Sequence, residues 1–200
     1  MRTGIMGGTF NPVHNAHLLI AELAREEFKL DRIIFMTGGN PPHKDGAISP
    51  QHRFNMTHIA IEGNEHFIDD DFEINRSEKS YTANTLEYLK EKYPDDELFF
   101  IVGEDSLEDL PTWYEPKRIL EMCSLLVFPR KSRKTLMGTL NKMTDKFGKR
   151  ILPISAPVIG LSSTEIRNRI RDGKTVKYMI PDRVIEYIKQ HNLYGEPNEK

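Results

Sequence analysis

The fold of this chain is decided by residues 6–17, which read MGGTFNPVHNAH. An apolar run at residues 1–6 predicts a first β-strand, and the apolar spacing of residues 18–28 predicts a helix. Gly7 and Gly8 lie between them, where we expect them to allow backbone angles and a close ligand approach that a Cβ would obstruct. Unpaired N–H groups and the positive dipole end of a helix meet at such a turn. The stretch therefore predicts an anion site, where the helix N-terminus would stabilise a bound anion by roughly 0.3–1 kcal/mol, and by up to about 2 if partly buried.

Two histidines follow the glycines at the start of the predicted helix. His14 and His17 are three residues apart, so both lie on one helix face and can contact the same anion. A glycine-containing turn without a ligand is the alternative, but the coincidence of two glycines, an Asn-Pro turn and paired histidines favours a phosphate site. The chain contains neither GxGxxG nor GxxxxGK[ST]. A zinc site is disfavoured, because metalloprotease helices space their histidines at i and i+4 beside a glutamate.

Length and composition indicate one soluble domain, which we predict to span residues 1–195 with a frayed tail at 196–200. The 200 residues suffice for a sizeable core, and 38% apolar and 29% charged residues are ordinary for a globular protein. A net charge of −2 gives no general attraction to nucleic acid or to a membrane, so neither is expected as a partner. Cys123 is the only cysteine and is expected to serve in packing. Without a disulfide, an export signal or a long apolar run, the predicted location is the cytoplasm.

Strand-like apolar runs alternate with helical patterns along the chain. After the first strand, strands are predicted at residues 33–36, 72–74, 98–102, 125–128 and 151–154. Helices are predicted at residues 50–62, 82–92, 116–122, 136–147 and 182–191, with a further helix starting near 162. This alternation predicts a Rossmann-like, doubly wound α/β fold, in which helices cover both faces of a mainly parallel sheet. Ligands should bind beyond the carboxyl ends of its strands.

A proline-stiffened loop follows the second predicted strand. Residues 38–44 read GGNPPHK, which fits either a lid over the site or a simple connection. Lys44 would matter as a mobile ammonium that reaches a phosphate. The acidic run at residues 69–71 is interpreted as the solvated approach to a strand and is given no function.

Three residues in the middle of the chain have two interpretations each. Thr82, at a predicted helix start, either caps that helix or contacts substrate. Asp105 follows Gly103 at the carboxyl end of a predicted strand, where it either caps a helix or accepts ribose hydroxyls. Trp113, the only tryptophan, either packs in the core or stacks on a flat ring.

Two further groups near the C-terminal third of the chain carry charge or hydroxyls. The basic cluster at residues 130–134 is typical of a solvated surface, although a polyphosphate would benefit from one or two of its cations. In the segment LSSTEIR, Ser162 and Glu165 are spaced as a capping box at a helix start. Hydroxyls there, including Thr164, together with Arg167 one turn inside, predict a second anion cradle suited to outer phosphates.

Together these motifs resemble the bacterial nicotinate-nucleotide adenylyltransferases of the nucleotidylyltransferase superfamily. The resemblance covers nearly the whole chain and rests on GGTFNP at 7–12 with the two histidines, PPHK at 41–44, SYT at 80–82 with TL at 85–86, Gly103 with Asp105, TW at 112–113, and SST at 162–164 with IR at 166–167. The first and last motifs mark the superfamily, and the middle ones indicate the nicotinate branch. The chain departs from the commonest pattern at Asn11, where Asp is usual, and at Ala16, where Gly is usual. The Ala16 methyl adds bulk where the nucleotide approaches.

The resemblance implies that the phosphate of nicotinate mononucleotide attacks the α-phosphorus of ATP, giving deamido-NAD and pyrophosphate in NAD biosynthesis. Because that nucleophile is already an anion, catalysis requires positioning and charge stabilisation but no catalytic base. Mg²⁺ is implied, bound mainly through ATP phosphates and water. The alternatives are another nucleotidyltransferase, of the pantetheine-phosphate type, and a non-catalytic nucleotide sensor. The oligomeric state, a homodimer included, stays open.

The same resemblance implies the site residues. The catalytic, phosphate-holding set is His14, His17, Lys44 and Arg167. The ATP-binding set is Gly7, Gly8, Thr9, Phe10, His17, Gly103, Asp105, Ser162, Thr164 and Arg167. The mononucleotide-binding set is Asn40, Lys44, Thr82 and Trp113, with backbone N–H groups near Thr82 or in the Asn40 loop selecting the acid over the amide. No side chain is assigned to a metal.

Overall fold

A computed structural model of the chain describes residues 1–40 and 47–195, so the tail predicted at 196–200 lies outside the described residues. Within these residues, six strands form one parallel sheet in the order β3-β2-β1-β4-β5-β6. The strands are β1 (Arg2–Gly8), β2 (Arg32–Thr37), β3 (Phe67–Asp70), β4 (Glu97–Gly103), β5 (Cys123–Phe128) and β6 (Ile151–Pro153). The sheet is parallel throughout, where the sequence predicted a mainly parallel one.

Helices connect the strands. They are α1 (Asn15–Glu27), α2 (Pro50–Ile61), α3 (Thr82–Lys92), α4 (Glu104–Glu108), α5 (Pro116–Met122), α6 (Arg133–Phe147), α7 (Ser163–Arg171) and α8 (Asp182–Gln190), with a 3-10 turn at Leu110–Thr112. No helix of the described residues is long and apolar enough to cross a membrane.

Successive side chains of the central strands point to opposite faces of the sheet, as the period of two requires. In β4, Phe99 and Ile101 join a core that packs against α1, α2, α7 and α8. Leu98, Phe100 and Val102 join the opposite core, which packs against α3 to α6. Strands buried on both faces explain why β4 and β5 are continuous apolar runs. The predicted doubly wound α/β fold with helices on both faces is confirmed.

The strand order creates one crevice at the carboxyl edge of the sheet. The chain proceeds from β1 to β2 and β3 on one side, and then crosses over to β4, β5 and β6 on the other. The direction of winding therefore changes between β1 and β4, which pair in parallel with Met6 opposite Ile101. In such sheets ligands bind beyond the carboxyl ends of the strands at this switch point. The fold thus places Gly7, Gly8 and Gly103 beside one another.

Strand β3 lies earlier than predicted. The sequence predicted a strand at residues 72–74, but the strand that pairs with β2 is Phe67–Asp70. Phe72 instead lies in a turn, where its ring stacks on Tyr88 at a centroid distance of 3.9 Å. The apolar side chain of Phe72 was therefore a sign of packing against α3 and not of strand pairing.

Asp70 is buried, which contradicts the interpretation of the acidic run as solvated. Its carboxylate accepts hydrogen bonds from the Lys92 ammonium at 2.8 Å and from the Tyr88 hydroxyl at 3.3 Å. Both partners come from α3, and they supply the charge and donors that a buried carboxylate needs. Because these partners are about twenty residues away, the local sequence gave no sign of them.

Two short features complete the fold. Helix α4 has only five residues, too few to show a helical apolar period, and the sequence did not predict it. Cys123 is the first residue of β5 and is buried, and burial raises the pKa of its thiol to about 12. A thiol held protonated in this way is unreactive, consistent with the predicted packing role.

Candidate active site

A cavity of about 690 Å³ opens at the carboxyl edge of the sheet, around the switch point between β1 and β4. The residues predicted from the sequence that line it are Gly7, Gly8, Thr9, Phe10, His14, His17, Thr82, Gly103, Asp105, Trp113, Ser162, Thr164 and Arg167. Two predicted residues are not among them. Asn40 is exposed and its side-chain amide faces the carbonyl of Ser77, so Gly38 lines the wall in its place. Lys44 lies outside the described residues.

The two glycines differ from one part of the prediction, the part that concerns their backbone angles. Both end β1 in extended conformation, and neither has a positive φ. A Cβ on Gly7 would lie 2.8 Å from the Phe100 ring, and a Cβ on Gly8 would lie 2.7 Å from the Phe10 ring. The left-handed backbone falls on Phe10, with φ of 48°. The expectation of special backbone angles at the glycines was wrong, and the glycines instead make room for two aromatic rings beneath the turn.

The paired histidines form one stacked unit at the start of α1. His14 is the N-cap residue, and its backbone N–H donates to Nδ1 of His17 at 3.1 Å. Their rings stack with centroids 3.6 Å apart, and the Phe10 ring meets His17 edge-on at 5.0 Å. Because Nδ1 of His17 accepts this hydrogen bond, the N–H of the ring lies on Nε2.

His14 is uncharged at neutral pH. Burial, together with the positive charge of Arg130, lowers the pKa of His14 to about 4. Its Nδ1 is buried and has no hydrogen-bond partner among the described residues. His14 therefore supplies no positive charge, and the positive charge at this wall comes from arginines.

The pKa of His14 predicts a specific dependence of stability on pH. The unfolded chain binds a proton at His14 near pH 6.5, whereas the folded protein binds it only near pH 4. The unfolded state therefore holds more protons in this window, and stability falls as pH is lowered from about 6.5 to 4, by up to about 3 kcal/mol. Urea unfolding at several pH values should show this loss in the wild type and a shallower slope in His14→Gln. Equal slopes would contradict the buried neutral state, and comparing slopes removes the packing cost of the substitution.

The start of α7 forms the opposite wall of the cavity. Ser162 is the N-cap, and its hydroxyl accepts the backbone N–H of Glu165 at 3.2 Å, which confirms the predicted helix start. Arg167 donates from Nη1 to the carbonyl of Asn11 at 2.8 Å and from Nη2 to the Thr164 hydroxyl at 3.3 Å. Arg167 thereby links the start of α7 to the turn that precedes α1, so the N–H groups and dipole ends of two helices can act on one polyanion.

Asp105 and Arg130 line the cavity beyond β4 and β5. Asp105 is the second residue of α4, whose N-cap is Gly103, so the capping interpretation of Asp105 was wrong. Its carboxylate lies 3.5 Å from Nε of Arg130, whose guanidinium also lies over the Phe128 ring. A Cβ on Gly103 would lie 2.4 Å from that carboxylate. Arg130 is the member of the basic cluster that lines the cavity.

Thr82 and Trp113 line the side of the cavity formed by α3 and the 3-10 turn. Thr82 is the first residue of α3, and its N-cap is Tyr81, so Thr82 does not cap the helix. The Tyr81 side chain provides no cap for the first N–H groups of α3. The rings of Tyr81 and Tyr114 lie 5.1 Å apart and hold the two segments together. Trp113 meets Phe100 edge-on at 6.4 Å, so it both packs and lines the cavity.

Glu73 is a cavity-lining residue that the sequence did not reveal. Its carboxylate accepts the Thr85 hydroxyl at 2.6 Å, with further hydrogen bonds from the Ser80 side chain and the Gly39 N–H. Burial raises the pKa of this carboxyl despite those donors. The available signal was a single glutamate between Phe72 and Ile74. The sequence analysis wrongly assigned these residues to a strand and gave the glutamate no role.

The fold and the cavity define a class of enzyme. A Rossmann-like sheet carries, at its switch point, a glycine-containing turn with paired histidines and a second helix start that holds an arginine and hydroxyls. A family model described as Cytidylyltransferase-like matches residues 5–169, which include both of these walls. The protein is a nucleotidyltransferase.

Comparison with individual proteins narrows the class. The chain is 43% identical to a Clostridium botulinum protein, over 95% of this chain and 97% of that one, and 41% identical to a Thermomicrobium roseum protein, over 96% and 91%. Both are named "Probable nicotinate-nucleotide adenylyltransferase". The fold is similar to that of Plasmodium falciparum nicotinic acid mononucleotide adenylyltransferase complexed with NaAD, with a TM-score of 0.78 and 23% identity over 96% of this chain and 97% of that one. The chain belongs to the nicotinate-nucleotide adenylyltransferase family, which confirms the resemblance drawn from its motifs.

Proposed function

We propose that this enzyme transfers the adenylyl group of ATP to nicotinate mononucleotide, giving deamido-NAD and pyrophosphate in NAD biosynthesis. The observation that carries the proposal is the single cavity that joins two helix N-termini at one end to Thr82 and Trp113 at the other. One end suits a triphosphate and the other a flat pyridine ring. The names of the relatives support the same reaction.

The phosphate end of the cavity is assigned to ATP. The turn from Gly7 to Phe10 and the N–H groups of α1 would contact the inner phosphates, and Ser162, Thr164 and Arg167 would contact the outer ones. Gly103 and Asp105 would line the nucleotide's ribose, because they lie at the carboxyl end of the neighbouring strand. Arg130 joins this set because its guanidinium faces the same cavity.

The reaction needs positioning more than proton transfer. The mononucleotide phosphate is an anion before it attacks, so no residue has to remove a proton from it. The Nε2–H of His17 is a fixed donor at the helix start, where charge develops on the α-phosphate oxygens in the transition state. The neutral His14 ring stacks on His17 and fixes its orientation, while Arg167 supplies the positive charge. Lys44 is proposed as a further phosphate ligand.

Mg²⁺ is part of the proposal as the partner of ATP. This ion retains water and is bound in nucleotide sites chiefly through phosphate oxygens, where it neutralises charge on the triphosphate. The donors of the cavity fit this arrangement, because helix N–H groups, hydroxyls and arginines bind phosphate and leave the metal to the phosphates and water. No side chain is assigned to the ion. We further propose that residues 1–195 act as one catalytic unit, and a cytoplasmic location stays a prediction from the sequence.

Pyrophosphate release tests the function directly. The purified protein should release pyrophosphate from ATP and Mg²⁺ with nicotinate mononucleotide, and far more slowly with nicotinamide mononucleotide or phosphopantetheine. Preference for phosphopantetheine would support the alternative transferase. ATP binding by calorimetry without release in the presence of any of the three would support the sensor.

The assignment of the α7 wall to ATP predicts an unequal effect of Arg167→Ala. The lost guanidinium faces the outer phosphates, so ATP binding should weaken about tenfold or more, as expected for a charge-assisted hydrogen bond, while mononucleotide binding changes little. Calorimetric titration of each ligand measures both effects. Arg169→Ala on the same helix is a matched control, since Arg169 is bonded to the carbonyl of Thr175 and does not line the cavity. Equal weakening of both ligands by Arg167→Ala would contradict the assignment.

A further inference from the structure

Arg53 is a buried cation placed just behind the cavity. It lies in the first turn of α2, and its side chain is 1% exposed. Burial lowers the pKa of Arg53, although a guanidinium stays charged at any ordinary pH. Among the described residues no carboxylate contacts it, and the nearby acidic groups that act on it are the Tyr194 hydroxyl and the Glu73 carboxyl, the latter in the cavity wall. Such a buried charge is costly unless the groups around it are closely arranged.

Within the described part of the chain, the groups that accept hydrogen bonds from Arg53 are main-chain carbonyls. Nη1 donates to the carbonyls of Thr9 at 2.7 Å and Gly38 at 2.5 Å, Nη2 donates to that of Gly39 at 2.9 Å, and Nε donates to that of Ile48 at 3.1 Å. These carbonyls belong to three separate segments: the turn after β1, the loop after β2 and the segment before α2. One planar side chain therefore fixes three loops relative to one another.

The direction of those carbonyls also sets the direction of the neighbouring N–H groups. In a planar trans peptide the C=O and the next N–H point to opposite sides. Turning the carbonyls of Thr9, Gly38 and Gly39 toward Arg53 therefore turns the N–H groups of Phe10, Gly39 and Asn40 away from it. Two of these directions are visible in the structure.

The N–H groups turned away from Arg53 face the cavity wall. The Gly39 N–H donates to the Glu73 carboxylate, and the Asn40 N–H lies 3.4 Å from the Ser80 hydroxyl. Glu73 and Ser80 both line the cavity. The third N–H belongs to Phe10, in the turn beside the paired histidines.

We propose that Arg53 is a positioning residue of the transfer reaction, which fixes the peptide units of the Thr9 turn and of the Gly38-Gly39 loop and thereby holds the Phe10 turn and the Glu73 and Ser80 side chains in place in the cavity wall. This proposal rests on the proposed function. The planar guanidinium of Arg53 is the essential feature, because a lysine ammonium is a point charge on a flexible stem and cannot hold carbonyls from three segments in fixed directions.

The test compares Arg53→Lys and Arg53→Met with a matched control, Arg32→Lys. Arg32 is likewise largely buried and bonded, to Asp96 at 2.7 Å and to the Thr3 hydroxyl at 3.0 Å, but it lies at the opposite, amino-terminal edge of the sheet. All three variants should melt at lower temperature than the wild type. Only the two Arg53 variants should lose kcat per folded molecule, by about 10- to 100-fold, because misplacement of reacting groups by up to 1 Å costs that much. The KM values should change less than kcat.

A folded Arg53→Lys variant with wild-type kcat would overturn the proposal, as would an equal loss of kcat in Arg32→Lys. If neither Arg53 variant folds, the amide chemical shifts of Phe10 and Gly39 in the wild-type protein test the proposal instead. Both should move on saturation with Mg²⁺-ATP or with nicotinate mononucleotide, and unchanged shifts would overturn the proposal. Failure of the proposed function has a different signature, namely a wild-type protein that releases no pyrophosphate with any mononucleotide.

Discussion

Replacement of His17 by alanine should leave the protein folded and lower kcat about 10²–10³-fold, the range for losing one preorganised donor to developing charge. The structure gives this expectation a geometric basis, since the backbone N–H of His14 holds Nδ1 of His17 and leaves the proton on Nε2. The ring is further oriented by stacking on His14 and by the edge of Phe10. A donor fixed in this way needs no reorganisation when charge develops.

Pyrophosphate release under saturating ATP and nicotinate mononucleotide measures the loss, and circular dichroism checks the fold of the variant. His66→Ala is the matched control, because His66 precedes β3 and does not line the cavity. His17→Gln retains an N–H donor and should recover part of the loss. A folded His17→Ala protein with nearly wild-type kcat would remove His17 from the mechanism.

Much of the fold was predictable because its signals are local. The bounds of α3 and α5 were predicted to the residue, and those of the other long helices within a few residues, since their apolar periods and end signals lie within each segment. Strand β3 was misplaced because Asp70, a polar residue, is buried by partners from α3. The relevant contact is long-range, and no local pattern of residues 67–74 could show it.

The candidate site likewise contains residues that local motifs predict and residues that only long-range contacts bring to the cavity. The turn at residues 7–17 and the start of α7 were predicted because each motif is a contiguous stretch of sequence whose residue types indicate its chemistry. The role of Arg53 was not predicted, because Arg53 contacts the carbonyl of Thr9, 44 residues earlier. The sequence alone does not distinguish a buried arginine from an exposed one. Glu73 was missed for a similar reason, and the sequence could not show that Arg130 is the member of the basic cluster that lines the cavity, since only the folded sheet brings these side chains there.

Two groups of backbone N–H donors, near Thr82 and in the Asn40 loop, were predicted to select nicotinate mononucleotide over its amide, and the structure favours one of them. The Asn40 loop is the weaker candidate, because Asn40 does not line the cavity and the neighbouring Gly39 N–H is already bonded to Glu73. The start of α3 is the stronger one, because Tyr81 provides no side-chain cap and Thr82 faces the cavity. Uncapped N–H groups at a helix N-terminus attract a carboxylate.

Trp113 should contribute to binding without contributing to this choice. Its ring lies in the segment that is joined to the α3 start by the contact between Tyr81 and Tyr114. Stacking depends on the face of the pyridine ring, which the acid and the amide share, so Trp113→Ala should weaken both mononucleotides by similar factors. Trp113→Phe keeps an aromatic face and is the conservative comparison.

Nicotinate mononucleotide should therefore be preferred over its amide by roughly 10²-fold or more in kcat/KM. A carboxylate aimed at two N–H groups of the α3 start accepts charge-assisted hydrogen bonds, whereas an amide would turn an NH₂ donor toward one of those donors and leave both desolvated. Steady-state kinetics with the two mononucleotides at fixed Mg²⁺-ATP measures the ratio, and the ratio should survive in Trp113→Ala even as both values fall. Comparable kcat/KM values in the wild type would overturn the preference. A preference that disappears in Trp113→Ala would show that the tryptophan, and not the helix start, selects the acid.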